Sequence, residues 1–234
     1  MIYDYTIYPI ECVYKVIYLC FYSLVDSYGL ALILLSIFTS CITHPLMKWA
    51  SNISRDEKEV QKYLTPQLGK IKAELSGAEQ HHTIQRLYKR YGYHPVMAVR
   101  SAIGVMLQLP FLMAAYYMLS NLDAIKGISW FLFKDLGQPD TLMAGLNVMP
   151  FVMTAVNLLS AYTTAGFTKK DKLQAFVIAG MFLVLLYGAP SALLIYWTFN
   201  NLWTLVGNLI GEQLRVFINL GNYLRGYMNY SINN

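Results

Sequence analysis

Ser36, Ser40 and Thr43 stand at i, i+4 and i+7 in the run GLALILLSIFTSCITHPLMKW, from Gly29 to Trp49, with Thr39 beside them. On a helix these residues share one face. Hydroxyls in that arrangement can bond a neighbouring helix or a hydrated guest, but they supply no acid, no base and no activated nucleophile. Related chemistry returns near the C-terminus, where Tyr196, Asn200 and Thr204 fall at i, i+4 and i+8 and Trp197, Asn201 and Asn208 occupy an adjoining face. Gln108 and Asn157 place one amide in each of two further apolar runs. Two accounts are open. Small hydroxylated residues let membrane helices approach and bond one another. Alternatively, the set lines a water-accessible groove, since three asparagines in one apolar helix are costly unless they meet water or a partner. Uncharged polar groups spread over four apolar runs favour a shared polar interior.

Other chemistries are not supported. No Asp or Glu falls inside an apolar run, where ion- and proton-coupled transporters place ionisable groups. No GxSxG, HExxH, Walker or GxGxxG pattern occurs, and His44, His81, His82 and His94 lack metal-ligand spacing. Cys12, Cys20 and Cys41 form no even set and no CxxC pair, so neither a disulfide framework nor a metal site is expected. No catalytic residue, metal or cofactor is predicted, and the chain does not read as an enzyme.

Composition explains where such a polar set must sit. The chain has 234 residues, 56% hydrophobic and only 13% charged, with mean hydropathy +0.39. Ordinary soluble domains carry about a quarter charged residues. The chain therefore reads as an all-α polytopic membrane protein, and its net charge of +5 reflects the placement of Lys and Arg around spans rather than nucleic-acid binding. The opening MIYDYTIYPIE has no basic n-region or cleavage site, so the first span is expected to serve as its own targeting signal.

In chain order, residues 7–25 have a helical period, with Ile10, Val13, Ile17, Cys20 and Leu24 on one side and Glu11, Lys15, Tyr18, Tyr22 and Asp26 on the other. That pattern predicts an amphipathic helix lying in the membrane interface. Span 1 covers 29–49. Residues 51–94 turn polar and basic, with two helical repeats separated at Ser76-Gly77, and predict an extramembrane helical hairpin whose first arm is kinked, or robbed of a backbone bond, by Pro66. Span 2 covers 101–122. A loop over 123–140 follows, with Trp130, Phe131, Leu132 and Phe133 between Lys126 and Lys134 as an interfacial aromatic anchor. Span 3 covers 142–164. The uncharged stretch from Leu173 to Gly211 is too long for one crossing of ~30 Å and splits at Gly188-Ala189-Pro190 into span 4, 173–188, and span 5, 190–211. Five spans place Lys15, Lys126 and Lys134 on one side. Apart from Arg100 at the boundary, every other Lys and Arg falls on the opposite side. The hairpin and C-terminus are thus expected in the cytoplasm and the N-terminus outside.

The chain resembles the YidC-type membrane protein insertases over roughly residues 8–210. The parts that carry the resemblance are HPLMKWAS, YLTPQLGKIKAEL, LQLPFLMAAYYML, WFLFKDLGQPDTL, MPFVMTAVNLL and APSALLIYWTFNNLWTLVGN, in that order. The resemblance implies a bacterial inner-membrane protein whose spans enclose a hydrophilic groove, open to the cytosol and to lipid, that draws in polar segments of nascent membrane proteins. It also implies groove positions at Ser36, Tyr196 and Trp197, and recruitment of substrate, ribosome or translocon through the hairpin. The full candidate set is Ser36, Ser40, Thr43, Gln108, Asn157, Tyr196, Trp197, Asn200 and Asn201.

Three departures from the family pattern stand out. The arginine that family members usually place five residues before the span 1 proline is Ser40 here. His44 and Arg100 are the candidates to replace its charge. The path from His94-Pro95 to Gln108-Leu109-Pro110 is about three residues longer than the pattern, and after Gly211 only Arg215 and Arg225 are basic. Two other functions fit the same residues: a membrane assembly subunit that keeps the fold without the activity, and a small-solute or lipid pathway through the polar interior.

Overall fold

The computed structural model describes residues 3–94, 96, 103–143, 145–163 and 169–232, with side chains described as far as Gly211 apart from those of residues 58, 105 and 169–171. A π-helical turn, Tyr3–Ile7, leads into seven α-helices: α1 Tyr8–Val25, α2 Tyr28–Glu74, α3 Gly77–Arg90, α4 Ile103–Ser120, α5 Met149–Tyr162, α6 Lys169–Leu185 and α7 Ser191–Ile232. The only extended pairings among the described residues are two isolated bridges, Trp130 with Phe133 and Met143 with Leu146. The chain divides into two compact units. One comprises Met1–Ile7 with Cys41–Met113, and the other Tyr8–Ser40 with Ala114–Asn234.

In the first unit, α2 continues to Glu74 through both Pro45 and Pro66. Each proline removes the donor that would reach the carbonyl four residues earlier, so Pro66 costs the helix a bond without ending it. The predicted break at Ser76-Gly77 is where the hairpin turns, with Gly77 at φ +62°. Arm α3 ends in a Schellman motif. The Gly92 N–H donates to the Lys89 carbonyl at 3.2 Å and the Tyr93 N–H to the Tyr88 carbonyl at 2.9 Å, with Gly92 in the left-handed region. Leu64 and Leu87 are buried in this hairpin. Its base is clasped by two tyrosines: Gln67 donates to the Tyr91 hydroxyl at 2.7 Å, and the Tyr93 hydroxyl donates to buried Glu57 at 3.3 Å.

The second unit is apolar outside as well as inside. On α6, Leu173, Phe176, Val177, Met181, Val184 and Leu185 are all exposed, and on α7 so are Val206, Leu209 and Ile210. A helix with apolar residues on its outer face belongs in lipid. By length and composition alone, Tyr3–Val25 and Tyr28–Glu74 reach the length of a bilayer crossing, while Met106–Ser120, Met149–Tyr162 and Lys172–Leu185 are shorter apolar helices.

Helix α1 corrects the sequence-based expectation for its faces. Tyr18, assigned to the polar side, is fully buried and Tyr14 nearly so, whereas Val13, Val16, Leu19 and Leu24 are exposed. The tyrosines go inward because their rings fill the core while their hydroxyls find partners there. Next to lipid the aliphatic side chains lose nothing by facing out.

Span 3 also differs from expectation. The described residues of 142–148 are not helical, and α5 begins only at Met149. The described residues between α4 and α5 form a loop that caps two helices at once. The buried Asp140 carboxylate accepts from the Val148 N–H at 3.0 Å and from the Met149 N–H, both at the start of α5. The Ser191 and Ala192 N–H groups, at the start of α7, donate to the Gln138 and Leu136 carbonyls at 2.8 and 3.0 Å. Helix starts leave such donors without intrahelical partners, and the loop supplies them. Asn147 completes the joint by donating to the Tyr187 carbonyl at 2.8 Å, between α6 and α7.

Candidate functional site

Three hydroxyls of α2, on Ser36, Thr39 and Ser40, face the interior of the second unit. Ser36 is fully buried, and Thr39 and Ser40 are nearly so. Each donates back along its own helix: Ser36 to the Ile33 carbonyl at 2.7 Å, Thr39 to Leu35 at 2.9 Å and Ser40 to Ser36 at 2.8 Å. This back-bonding satisfies a hydroxyl proton where water is scarce and leaves the oxygen lone pairs for other groups.

The Thr39 oxygen meets tyrosines. The Tyr196 hydroxyl of α7 donates to the Tyr14 hydroxyl of α1 at 3.3 Å, their rings 6.2 Å apart and tilted by 56°. Thr39 lies within hydrogen-bonding reach of both. Three buried hydroxyls therefore knot α1, α2 and α7 together without a formal charge. Tyr14 was absent from the sequence-based candidates. Its signal was the pair Tyr14 and Tyr18, four residues apart and so on one face of α1.

Further along α7, Trp197 and Asn201 are buried and Asn200 is half-buried. The Trp197 ring packs on Phe182 of α6 at 5.7 Å, and its indole N–H is buried without a hydrogen-bond acceptor. Asn201 donates to the Trp197 carbonyl at 2.9 Å. Asn208 crosses to α5, donating to the Ser160 carbonyl at 3.2 Å and the Thr163 hydroxyl at 3.3 Å. Asn157 on α5 is half-buried. Thr43 and Gln108 belong to the first unit, where both are half-buried, and His44 is exposed there. Arg100 lies outside the described residues.

The loop at the far end of the second unit carries ordinary surface electrostatics. The Lys126 ammonium, 2.6 Å from Asp123, holds that carboxyl below its usual range, and Lys15 of α1 is close enough to add to the effect. Among the described residues no cluster of His, Cys, Asp or Glu could hold a metal ion.

An all-helical membrane protein with hydroxyls and amides packed among the apolar side chains of its interior is the class that this fold and site define. The pattern of the 60Kd inner membrane protein family matches residues 20–216, and the chain belongs to that family. It is 28% identical over 222 residues to a membrane protein insertase YidC of Treponema denticola, covering 86% of this chain and 37% of that one. It is 29% identical over 196 residues to the YidC insertase of Helicobacter pylori, covering 81% and 34%. The chain thus spans about a third of the length of these relatives. A solved structure described as an active YidC insertase, with its first transmembrane domain resolved, matches with a TM-score of 0.56 and 19% identity over 87% of this chain and 45% of that one. That likeness concerns the fold.

Proposed function

We propose that the chain is a membrane protein insertase or chaperone of the bacterial inner membrane, acting on polar segments of nascent membrane proteins. The observation that carries this reading is the uncharged knot of Tyr14, Thr39 and Tyr196, with Ser36 and Ser40 beside it, in a chain of this family. Polar groups partway across the bilayer shorten the dry path that a translocating segment must cross. The half-buried amides Asn157 and Asn200 are where such a segment first meets the interior, and reaching Ser36 and Ser40 requires the surrounding helices to part. No nucleotide or metal enters this mechanism.

The reading includes five spans, an interfacial α1, an outside N-terminus and a cytoplasmic hairpin. The closeness of Lys15 to Asp123 supports placing α1 and the 123–140 loop on one side. The short α5 and α6, 14 and 17 residues, measure about 21 and 26 Å, so the bilayer thins around them. Membrane lipids contact the exposed apolar faces, and the hairpin is the surface offered to a ribosome or translocon.

Complementation tests this function. Expressed in cells depleted of their own insertase, the chain restores insertion of small membrane proteins, and crosslinkers at Ser36, Ser40 or Tyr196 capture nascent chains while one at exposed Leu30 captures mainly lipid. Equal capture at all four positions refutes the groove.

A second reading has its own support: Ser36, Thr39 and Ser40 are each buried and bonded back to their own helix, as in a purely structural helix contact. An assembly subunit of that kind retains normal abundance but restores no insertion. Solute flux into liposomes containing the chain would point instead to a small-solute pathway.

A further inference from the structure

Residues 130–133 form a two-residue hairpin turn, closed by reciprocal bonds between Trp130 and Phe133, each N–H donating to the other's carbonyl at 2.9 Å. The turn sorts its four large apolar side chains into two pairs. Phe133 is buried, and Trp130 packs against Gly29 so closely that a Cβ on that glycine would overlap the indole. Phe131 and Leu132, at the tip, are 85% and 62% exposed.

Phe131 has φ +53°. Two-residue hairpin turns call for positive φ at the first central position, and glycine is its ordinary occupant there. A bulky aromatic residue in that region is an outlier whose strain must be held by the surrounding structure. Gly29 and the paired backbone bonds do the holding, and the Phe131 ring, though tilted against the Trp130 ring at 6.2 Å, stays almost wholly outside the packed part of the turn.

We infer that Phe131 and Leu132 form a rigid wedge that enters the lipid interface of the leaflet nearest the 121–148 loop, with the Lys134 ammonium on anionic phospholipid headgroups. Two observations favour lipid over a protein partner. The tip lies on the segment joining the ends of two apolar helices, α4 and α5, so it is already at membrane level on the spanning interpretation on which this inference rests. Its flanking charge is also cationic and exposed: Lys126 is engaged by Asp123, whereas Lys134 is exposed beside the tip. An aromatic–aliphatic tip with an adjacent lysine matches the gradient from acyl chain to anionic headgroup.

The test uses the full chain with Cys12, Cys20 and Cys41 replaced by serine, reconstituted in vesicles of phosphatidylcholine and phosphatidylglycerol. An environment-sensitive fluorophore is attached at Leu132→Cys, at the exposed loop residue Gln138→Cys, or at the exposed α6 residue Val184→Cys. The Leu132 label is expected to be quenched by shallow spin-labelled lipid at least about twofold more than the Gln138 label. That quenching weakens in Lys134→Gln and in pure phosphatidylcholine. Phe131→Gly, which relieves the strained φ and so preserves the turn, also weakens it. If the Leu132 label is quenched by aqueous iodide as fully as the Gln138 label while the Val184 label stays lipid-quenched, the wedge is wrong and the spanning interpretation stands. If the Val184 label is aqueous too, both fail. Shielding of Leu132 that appears only when other membrane proteins are present overturns the lipid assignment in favour of a protein partner.

Discussion

Replacing Asp140 tests the joint that positions the polar interior. Its carboxylate is 4% exposed and accepts from two backbone N–H groups at the start of α5. Asp140→Ala leaves both donors buried without that partner, and a stranded buried donor costs about 1–3 kcal/mol. The lost negative charge at a helix N-terminus adds about 0.3–1 kcal/mol. The total is about 3 kcal/mol or more. Asp140→Asn keeps one carbonyl acceptor and should cost about half as much. For a chain of this size each kcal/mol moves the midpoint by roughly 2–4 °C, so Asp140→Ala should unfold about 6–12 °C below the parent. The assay is thermal unfolding of the purified chain in nanodiscs, with Gln138→Ala as control because that exposed side chain takes no part in the cap. If both Asp140 variants melt within about 1 °C of the parent, the carboxylate does not hold α5 and the account of the loop as a double helix cap is wrong.

Three further outcomes follow from the same geometry. Gly29→Leu drives a side chain into the Trp130 indole and should destabilise by at least about 1–3 kcal/mol, with partial recovery in Gly29→Leu/Trp130→Ala, read by thermal unfolding. Tyr14→Phe and Tyr196→Phe should each cost about 0.5–1.5 kcal/mol and couple in a double-mutant cycle, because they remove opposite ends of one hydrogen bond; strict additivity would dissolve the knot. Ser40→Arg separates the two accounts of the hydroxyl face. In a hydrated groove the variant stays abundant and inserts a reporter protein, whereas a dry, packed Ser40 exposes it to roughly 2.5–3.5 kcal/mol for an arginine at mid-membrane and to loss from the membrane fraction.

What was legible in the sequence, and what was not, follows from the solvent that each side chain meets. The hydroxyl stripe of α2 could be read from spacing alone, because small polar residues at i, i+4 and i+7 among leucines have no reason to face lipid, and Ser36 and Ser40 do lie inside. The break at Ser76-Gly77 was equally readable, since a glycine at positive φ after a long helical repeat leaves few alternatives. Helix α1 was misread by the same logic carried over from water. Tyr18 was counted as polar and turned outward, when in a membrane protein a tyrosine is a large ring that needs only one partner, and the Tyr28 carbonyl at 3.4 Å provides it. The start of α5 was hidden for a different reason. Residues 142–148 carry no charge, so hydropathy extends the span across them, while the helix start is set by Asp140, which bonds residues eight and nine positions further on. Burial in such a chain is decided less by apolarity, which more than half of its residues have, than by which hydrogen-bonding groups must find one another. Tyr14, Thr39 and Tyr196 come from three distant parts of the sequence, and no local period brings them together. They meet because lipid offers a hydroxyl no partner and the other two helices do.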